Sequence, residues 1–209
     1  MGCCLILHET IKVIVLDFDG TLIDSNRLKY KAFFKLFPHD LQSENIVQSV
    51  LGEIFEASRY DILAEIVARR KRRQLDQNPL DVKILAQAYN SLVLDGAKHC
   101  PQIPGAEEAL ASLFPRVILY VSSTTPEGAL KEIIAFLGWT DYFVDVFGYP
   151  QKKSETLAGI IDREKVESCS VMVVGDGESD RISAEENRCK FIPVDDVFPF
   201  SEVVSLLGE

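Results

Sequence analysis

Three long apolar runs constrain the fold of this chain more than any other feature. They are IKVIVLDF at 11–18, RVILYVSS at 116–123 and SVMVVGDG at 170–177. Rich in β-branched residues and nearly continuous, such runs are typical of strands buried on both faces of a parallel sheet. Two shorter runs, FVDVFG at 143–148 and KFIPV at 190–194, predict a fourth and a fifth strand. Because helical patterns separate the strands, we predict an α/β fold with a Rossmann-like, doubly wound parallel sheet.

The segment 25–100 differs from the rest of the chain because it contains no strand-like run. We therefore predict an all-helical domain at 25–100, inserted after the first strand of a core formed by residues 1–24 and 101–209. Asn78 and Pro79 are expected to open its last helix, and Ser58 with Asp61 indicates another helix start. The apolar residues in this insert recur at helical spacing, in sets at 46–55, 62–67 and 82–92.

The helix after the second core strand has well-marked ends. Thr125 as N-cap and Pro126 as first-turn residue are predicted to open it, and Gly138 is predicted to end it. Its apolar stripe consists of Leu130, Ile133, Ile134 and Leu137.

Composition limits the classes of partner. Asp and Glu number 32 against 22 Lys and Arg, which gives a formal charge of -10. A surface of that charge repels polyphosphate backbones, so we expect no nucleic-acid partner. No apolar run approaches the roughly 20 residues of a membrane span, so we also predict a soluble protein without a membrane partner.

The cysteines indicate a reducing compartment. Five is an odd number, and none of them forms a CxxC pair, so we interpret them as reduced thiols of a cytoplasmic protein. The start MGCC raises the alternative of acylation, although Ile6 stands where a myristoylation signal has Ser or Thr.

Polar side chains follow each of the three long strands. They are Asp17 and Asp19, Ser122 and Ser123, and Asp176 and Asp180. Because loops at the carboxyl ends of parallel strands share one crevice, we expect these side chains to meet there. Clustered carboxylates repel one another unless a hard divalent cation lies among them, and Mg²⁺ accepts such ligands. The plainer alternatives are a turn at Asp17 to Gly20 and a helix cap at the serines.

Two features of the helical insert are candidates for function. Arg59 stands at a helix start and is a candidate cation for binding an anionic group such as a carboxylate or a phosphate. The basic run at 69–73 is more simply interpreted as the solvated end of a helix, where cations complement the helix dipole.

Four motifs resemble those of the haloacid dehalogenase superfamily. They are DFDGT, a strand ending in Ser, a lysine before a helix, and GDGESD, and the resemblance extends from Ile11 to Val194. The helical insert and the PGAEEALASL segment at 104–113 are similar to the phosphoglycolate phosphatase and β-phosphoglucomutase branch, in which the insert is a helical cap.

The resemblance implies a role for each core position. Asp17 would be the nucleophile that forms an aspartyl-phosphate, and Asp19 the general acid and base. Ser122 would bind the transferring phosphoryl group, and Lys153, with Lys152 as the alternative, would stabilise its charge. The residues expected to contact the substrate are Gly20, Thr21, Ser123 and Arg59.

The same resemblance implies the cofactor and the reaction. Asp17, Asp176 and the backbone carbonyl of Asp19 would hold Mg²⁺, and Asp180 would act on it through a water molecule or by orienting Lys153. The implied activity is Mg²⁺-dependent hydrolysis of a small phosphorylated metabolite. A phosphomutase of the β-phosphoglucomutase type shares these motifs and remains an alternative, as does a non-catalytic phosphate-binding protein on the same scaffold.

Overall fold

The computed structural model describes residues 10–54, 57–195 and 200–207 and divides into two compact units. The sheet unit comprises the described residues of Met1–Asp24 and Pro101–Glu209, and the helical unit comprises those of Ser25–Cys100. The MGCC start and Phe55, the last residue of the 46–55 set, lie outside the described residues.

A five-stranded parallel sheet forms the centre of the sheet unit. Its strands are β1 (Val13–Leu16), β2 (Ile118–Pro126), β3 (Asp145–Tyr149), β4 (Val171–Gly175) and β5 (Lys190–Pro193). The spatial order is β3-β2-β1-β4-β5, and every neighbouring pair is parallel. This arrangement confirms the predicted fold class and all five predicted strands. The chain passes from β1 to β2 and β3 on one side and then returns to β4 on the other, so β1 and β4 flank the switch point where ligands bind in such sheets.

Four helices form the helical unit. They are α1 (Asn26–Lys35), α2 (Leu41–Ile54), α3 (Arg59–Arg72) and α4 (Val82–Ala97). Their apolar faces share one core, in which the rings of Phe33 and Tyr89 lie 4.4 Å apart. The sequence predicted the last three helices but not α1, whose mean hydropathy is low because it contains one Arg and three Lys and buries only Ala32 and Phe33.

The start of α4 corrects one prediction. Asp81, rather than Asn78 and Pro79, caps the helix, since its carboxylate accepts hydrogen bonds from the backbone N–H groups of Lys83 at 2.7 Å and Ile84 at 3.3 Å. A carboxylate at this position satisfies amides that have no partner within the helix.

Helices cover the sheet and explain its continuous apolar strands. Those of the sheet unit are α5 (Ala106–Leu113), α6 (Glu127–Phe136), α7 (Lys153–Glu164) and α8 (Glu178–Glu186). Val13 and Val15 of β1 lie in one buried cluster with residues of α7 and α8, and the intervening Ile14 is also fully buried. Both faces of β1 are therefore excluded from water. No helix in the described ranges is long and apolar enough to span a membrane.

The junction of β2 and α6 corrects a second prediction. The helix begins at Glu127, Pro126 occupies the N-cap position, and no side chain caps the helix. Thr125 instead belongs to β2, where its side chain is buried. The predicted end at Gly138 agrees with its left-handed φ of 75°.

Candidate active site

Three carboxylates meet at the carboxyl ends of β1 and β4. Asp17 follows β1, and its amide donates to the carbonyl of Val174 at 2.8 Å, which continues the ladder between the strands. Carboxylate oxygens of Asp17, Asp176 and Asp180 lie within 4.8 Å of one another. Asp17 and Asp180 are buried and Asp176 is exposed, so the cluster has one side open to solvent.

Lys153, the first residue of α7, joins two of these carboxylates. Its Nζ donates to Asp17 Oδ1 at 2.9 Å and to Asp180 Oδ1 at 2.7 Å. Lys152, the alternative, has a side chain 80% exposed and pairs with Glu155. Burial disfavours the Lys153 ammonium, but the charges of Asp17 and Asp180 outweigh it and raise the pKa of Lys153 above its ordinary value. Lys153 is therefore a cation at neutral pH.

Lys153 satisfies only one of the two carboxylate oxygens of Asp180. Its Oδ2 is buried and makes no hydrogen bond with the described residues. Burial raises the pKa of Asp180 to about 7, the charge of Asp17 adds to the effect, and Lys153 opposes it. The backbone of Gly175 lies against the same carboxylate, and a Cβ there would stand 2.4 Å from Asp180 Cγ.

This donor set fits a divalent cation. Hard cations such as Mg²⁺ take oxygen ligands, and the cluster offers three carboxylates, one with a buried oxygen that has no partner among the described residues. One lysine does not balance three carboxylates, so a second positive charge would relieve their repulsion.

Asp19 is held apart from the cluster by β2. Its Oδ2 accepts hydrogen bonds from Thr125 Oγ1 at 2.8 Å and from Ser123 Oγ at 3.2 Å. Ser123 was expected to contact substrate, but its hydroxyl also accepts the N–H of Thr125 at 3.0 Å. The sequence analysis assigned Thr125 only a capping role. Residues two apart in an extended strand share one face, so the position of Thr125 two residues after Ser123 was the signal that could have identified it.

The loop after β1 turns sharply. Gly20 has a left-handed φ of 83°, a conformation that favours glycine. Its N–H donates to the carbonyl of Ile23 at 2.8 Å, which closes the turn, and contact between Gly20 and substrate stays a prediction. Thr21 Oγ1 lies 3.5 Å from Asp176 Oδ1, and Ser122 is buried beside Phe147 of β3.

Arg59 is the one predicted site residue in the helical unit. It is the first residue of α3, and the predicted helix start is confirmed because Ser58 Oγ accepts from the backbone N–H of Asp61. The guanidinium donates to Asn90 Oδ1 at 2.6 Å, which ties α3 to α4.

The structure corrects the prediction that the basic run at 69–73 is a solvated helix end. Arg70 is only 2% exposed, and its guanidinium bonds the carboxylate of Asp76 and the hydroxyl of Ser43, the latter at 2.6 Å. The aromatic ring of Phe37 lies 5.2 Å from its guanidinium carbon. Helical periodicity turns one member of a five-residue basic run inward. Arg72, by contrast, is exposed.

Comparisons with known proteins agree with this arrangement. The family model of haloacid dehalogenase-like hydrolases matches residues 14–194. A phosphoglycolate phosphatase of Photobacterium profundum is 24% identical over 208 residues, which cover 94% of this chain and 89% of that protein.

Solved structures share the fold at lower identity. A magnesium-bound structure assigned as the HAD-hydrolase YfnB of Bacillus subtilis has a TM-score of 0.73 at 18% identity, covering 96% of this chain and all of that one. A protein assigned as a β-phosphoglucomutase of Thermotoga maritima has a TM-score of 0.68 at 15% identity, covering 94% and 98%. Since the family model spans all five strands and the clustered carboxylates, the chain belongs to the haloacid dehalogenase-like hydrolase family.

Proposed function

We propose that this protein is a Mg²⁺-dependent phosphatase that hydrolyses a small phosphomonoester through an aspartyl-phosphate intermediate. The observation that carries the proposal is the bridge from Lys153 Nζ to Asp17 and Asp180, with Asp19 held separately by β2. A nucleophile, a charge-stabilising cation and a proton donor thus occupy different positions. The name phosphoglycolate phosphatase borne by relatives supports the substrate class.

In the first step, a carboxylate oxygen of Asp17 attacks phosphorus and the bond from phosphorus to the leaving oxygen breaks. Asp19 donates its proton to that oxygen, so the product leaves as a neutral alcohol and Asp19 becomes a carboxylate. Lys153 stabilises negative charge on the phosphoryl oxygens, and the hydroxyl of Ser122 donates a hydrogen bond to one of them.

In the second step, water attacks the aspartyl-phosphate while Asp19 accepts its proton. The bond from phosphorus to Asp17 breaks, its electron pair returns to the Asp17 carboxylate, and inorganic phosphate forms. Asp19 ends this step protonated, which restores the enzyme for another cycle.

Asp17, Asp176, Asp180 and the backbone carbonyl of Asp19 are the groups that would hold Mg²⁺. When bound, the ion supplies positive charge that offsets the repulsion between the nucleophile and the phosphate. The Oδ2 of Asp180, which has no partner among the described residues, supports this assignment.

The division of the chain into two compact units supports a separate function for each unit. We propose that the sheet unit is the catalytic core and that the helical unit is a cap that selects a small phosphorylated acid or sugar. Arg59, already oriented by Asn90, would pair with a substrate carboxylate or second phosphate. Phosphoglycolate, which carries a carboxylate, is therefore the first substrate to test.

The test is phosphate release from a panel of small phosphomonoesters in Mg²⁺, with EDTA as control. The panel includes phosphoglycolate, sugar phosphates, nucleoside monophosphates and p-nitrophenyl phosphate. We expect metal-dependent release that favours one compound. Asp17→Asn should reduce turnover at least about 10³-fold without unfolding the protein, because an amide is a poor nucleophile.

Asp162→Asn is the matched control, since Asp162 is an exposed residue of α7 outside the cluster and should retain full activity. Persistent turnover in Asp17→Asn would refute the nucleophile assignment. Absence of phosphate release by the unaltered protein from every compound would refute the phosphatase. Isomerisation of a sugar phosphate that depends on added bisphosphate would instead identify a mutase.

A further inference from the structure

The end of β2 departs from regular pairing beside the candidate active site. Ser122 pairs with Phe147 and Pro126 with Tyr149, so three residues of β2 stand opposite one residue of β3, which is Gly148. Extra residues of this kind bend a strand and redirect its side chains, and they are frequent next to active sites. We call residues 123–125 the β2 bulge.

The β2 bulge directs two hydroxyls at one carboxylate oxygen. Thr125 Oγ1 and Ser123 Oγ donate to Asp19 Oδ2 at 2.8 and 3.2 Å. The Thr125 amide donates to Ser123 Oγ at 3.0 Å, which leaves the Ser123 proton to point at Asp19. All three residues are buried, so water does not compete freely for these bonds.

Gly148 permits this arrangement. A Cβ at Gly148 would lie 2.5 Å from the Thr125 carbonyl oxygen and 2.6 Å from the Glu127 amide nitrogen. Real side chains essentially never approach backbone atoms so closely, so any larger residue would displace the β2 bulge. Glycine at this position is thus a steric requirement of the bulge.

We infer that Thr125 is a positioning residue for proton transfer, which fixes the Asp19 carboxyl group so that Oδ1 carries the transferable proton. Because Oδ2 accepts hydrogen bonds from two hydroxyls, we place the hydrogen of protonated Asp19 on Oδ1. The Oδ1 proton then moves to the leaving oxygen as its bond to phosphorus breaks, and the two hydroxyls stabilise the carboxylate that remains. This inference rests on the proposed phosphatase activity.

The experiment measures kcat/KM for phosphate esters whose leaving groups range from p-nitrophenolate to simple alkoxides. This parameter reports the steps up to departure of the leaving group, so slow hydrolysis of the intermediate does not obscure it. Weakly basic leaving groups need no proton, whereas alkoxides do. A defect in proton donation therefore makes kcat/KM depend more steeply on the basicity of the leaving group. A general structural defect instead lowers kcat/KM for all esters by the same factor.

Thr125→Val removes the hydroxyl and keeps the shape. We expect kcat/KM for alkyl esters to fall about 10- to 100-fold, while p-nitrophenyl phosphate is little affected. Thr125→Ser, which retains a hydroxyl, should restore most of the alkyl activity. Gly148→Ala, which retains both hydroxyl groups but displaces the β2 bulge that carries them, should show the same selective loss.

Thr156→Val is the matched control, because Thr156 is a buried threonine of the same unit whose hydroxyl contacts Gln151. It should leave the leaving-group dependence unchanged. The inference would be overturned if folded Thr125→Val protein kept the same dependence of kcat/KM on leaving-group basicity as the unaltered protein. Equal decreases of kcat/KM for all esters would also overturn it. An unaltered protein inactive toward every ester would instead refute the proposed phosphatase, so the two failures are distinguishable.

Discussion

Among the described residues, Arg70 of the helical unit and Lys153 of the sheet unit both have buried side chains, but they differ in the number of carboxylates around them. Arg70 meets one carboxylate, Asp76, one hydroxyl and one aromatic ring. Lys153 bridges two carboxylates, with a third within 4.8 Å. Among the described residues, the cluster around Lys153 also contains a buried carboxylate oxygen without a partner.

The difference separates a structural ion pair from a candidate catalytic one. Arg70 donates to one carboxylate from two of its nitrogens, so this pair contributes to folding once its desolvation is offset. The charges around Lys153 do not balance, and the excess of carboxylates favours binding of a further cation. Unbalanced buried charges of this kind are expected at functional sites, where groups needed for the reaction lower the stability of the fold.

Replacing Lys153 by Met is expected to have the largest effect of the substitutions that test this difference. The change removes the cation that would stabilise the phosphoryl group, so we expect kcat/KM to fall by about 10³-fold. Lys152→Met, on the exposed neighbour of Lys153, is the matched control and should retain activity. Comparable activity in the two variants would mean that Lys153 has no part in the reaction.

Replacing Arg70 by Met should have the opposite outcome. It leaves Asp76 without its cation and should lower the free energy of unfolding by about 2–3 kcal/mol, less than for a fully buried pair because Asp76 is 20% exposed. Turnover by the folded protein should not change. Denaturant unfolding measures the effect.

Arg72→Met provides the control for that change. Arg72 is 68% exposed and lies 3.4 Å from Glu65, so its loss should cost less than about 0.5 kcal/mol. Equal costs for the two variants would remove the distinction between a buried pair and an exposed one.

The pH dependence of stability without metal should show a smaller effect. The folded protein binds the proton of Asp180 more tightly than the unfolded chain, because burial raises the pKa of this residue from 3.8 to about 7. Stability from this group is therefore complete at low pH and is lost as the pH rises toward 7. In EDTA we expect Tm to decrease by roughly 4–8 °C from about pH 5 to about pH 7, which corresponds to about 2 kcal/mol in a chain of this size.

Carboxyl groups whose pKa values are lowered act outside this pH range. Glu53 and Glu65 have lowered pKa values because of Arg69, and they titrate below this pH window. Mg²⁺ added near pH 7 should restore Tm, since a bound cation favours the carboxylate. Asp180→Asn should flatten the pH dependence, whereas Asp162→Asn should not. A Tm that rises with pH in EDTA would contradict the assignment.

Local pattern was enough to predict much of the fold. The five strands were found because parallel strands buried on both faces are continuous apolar runs, as β1 and β4 illustrate. The apolar spacing of α2, α3 and α4 likewise predicted helices. It failed for α1, where only Ala32 and Phe33 are fully buried and the periodic signal is weak.

Periodicity and chain order, which are local properties, predicted the parallel sheet and the acidic loops at its strand ends. The roles of those acidic residues in phosphoryl transfer come from the resemblance to a family and stay a proposal. The folded structure confirms Lys153 over its alternative Lys152 as the lysine that contacts the carboxylates, and it alone shows that Arg70 is buried. It also decided that Thr125 holds Asp19, 106 positions away in the chain. These contacts depend on strand register, a bulge and the rotation of helices, which follow from packing of the whole core and not from neighbouring residues.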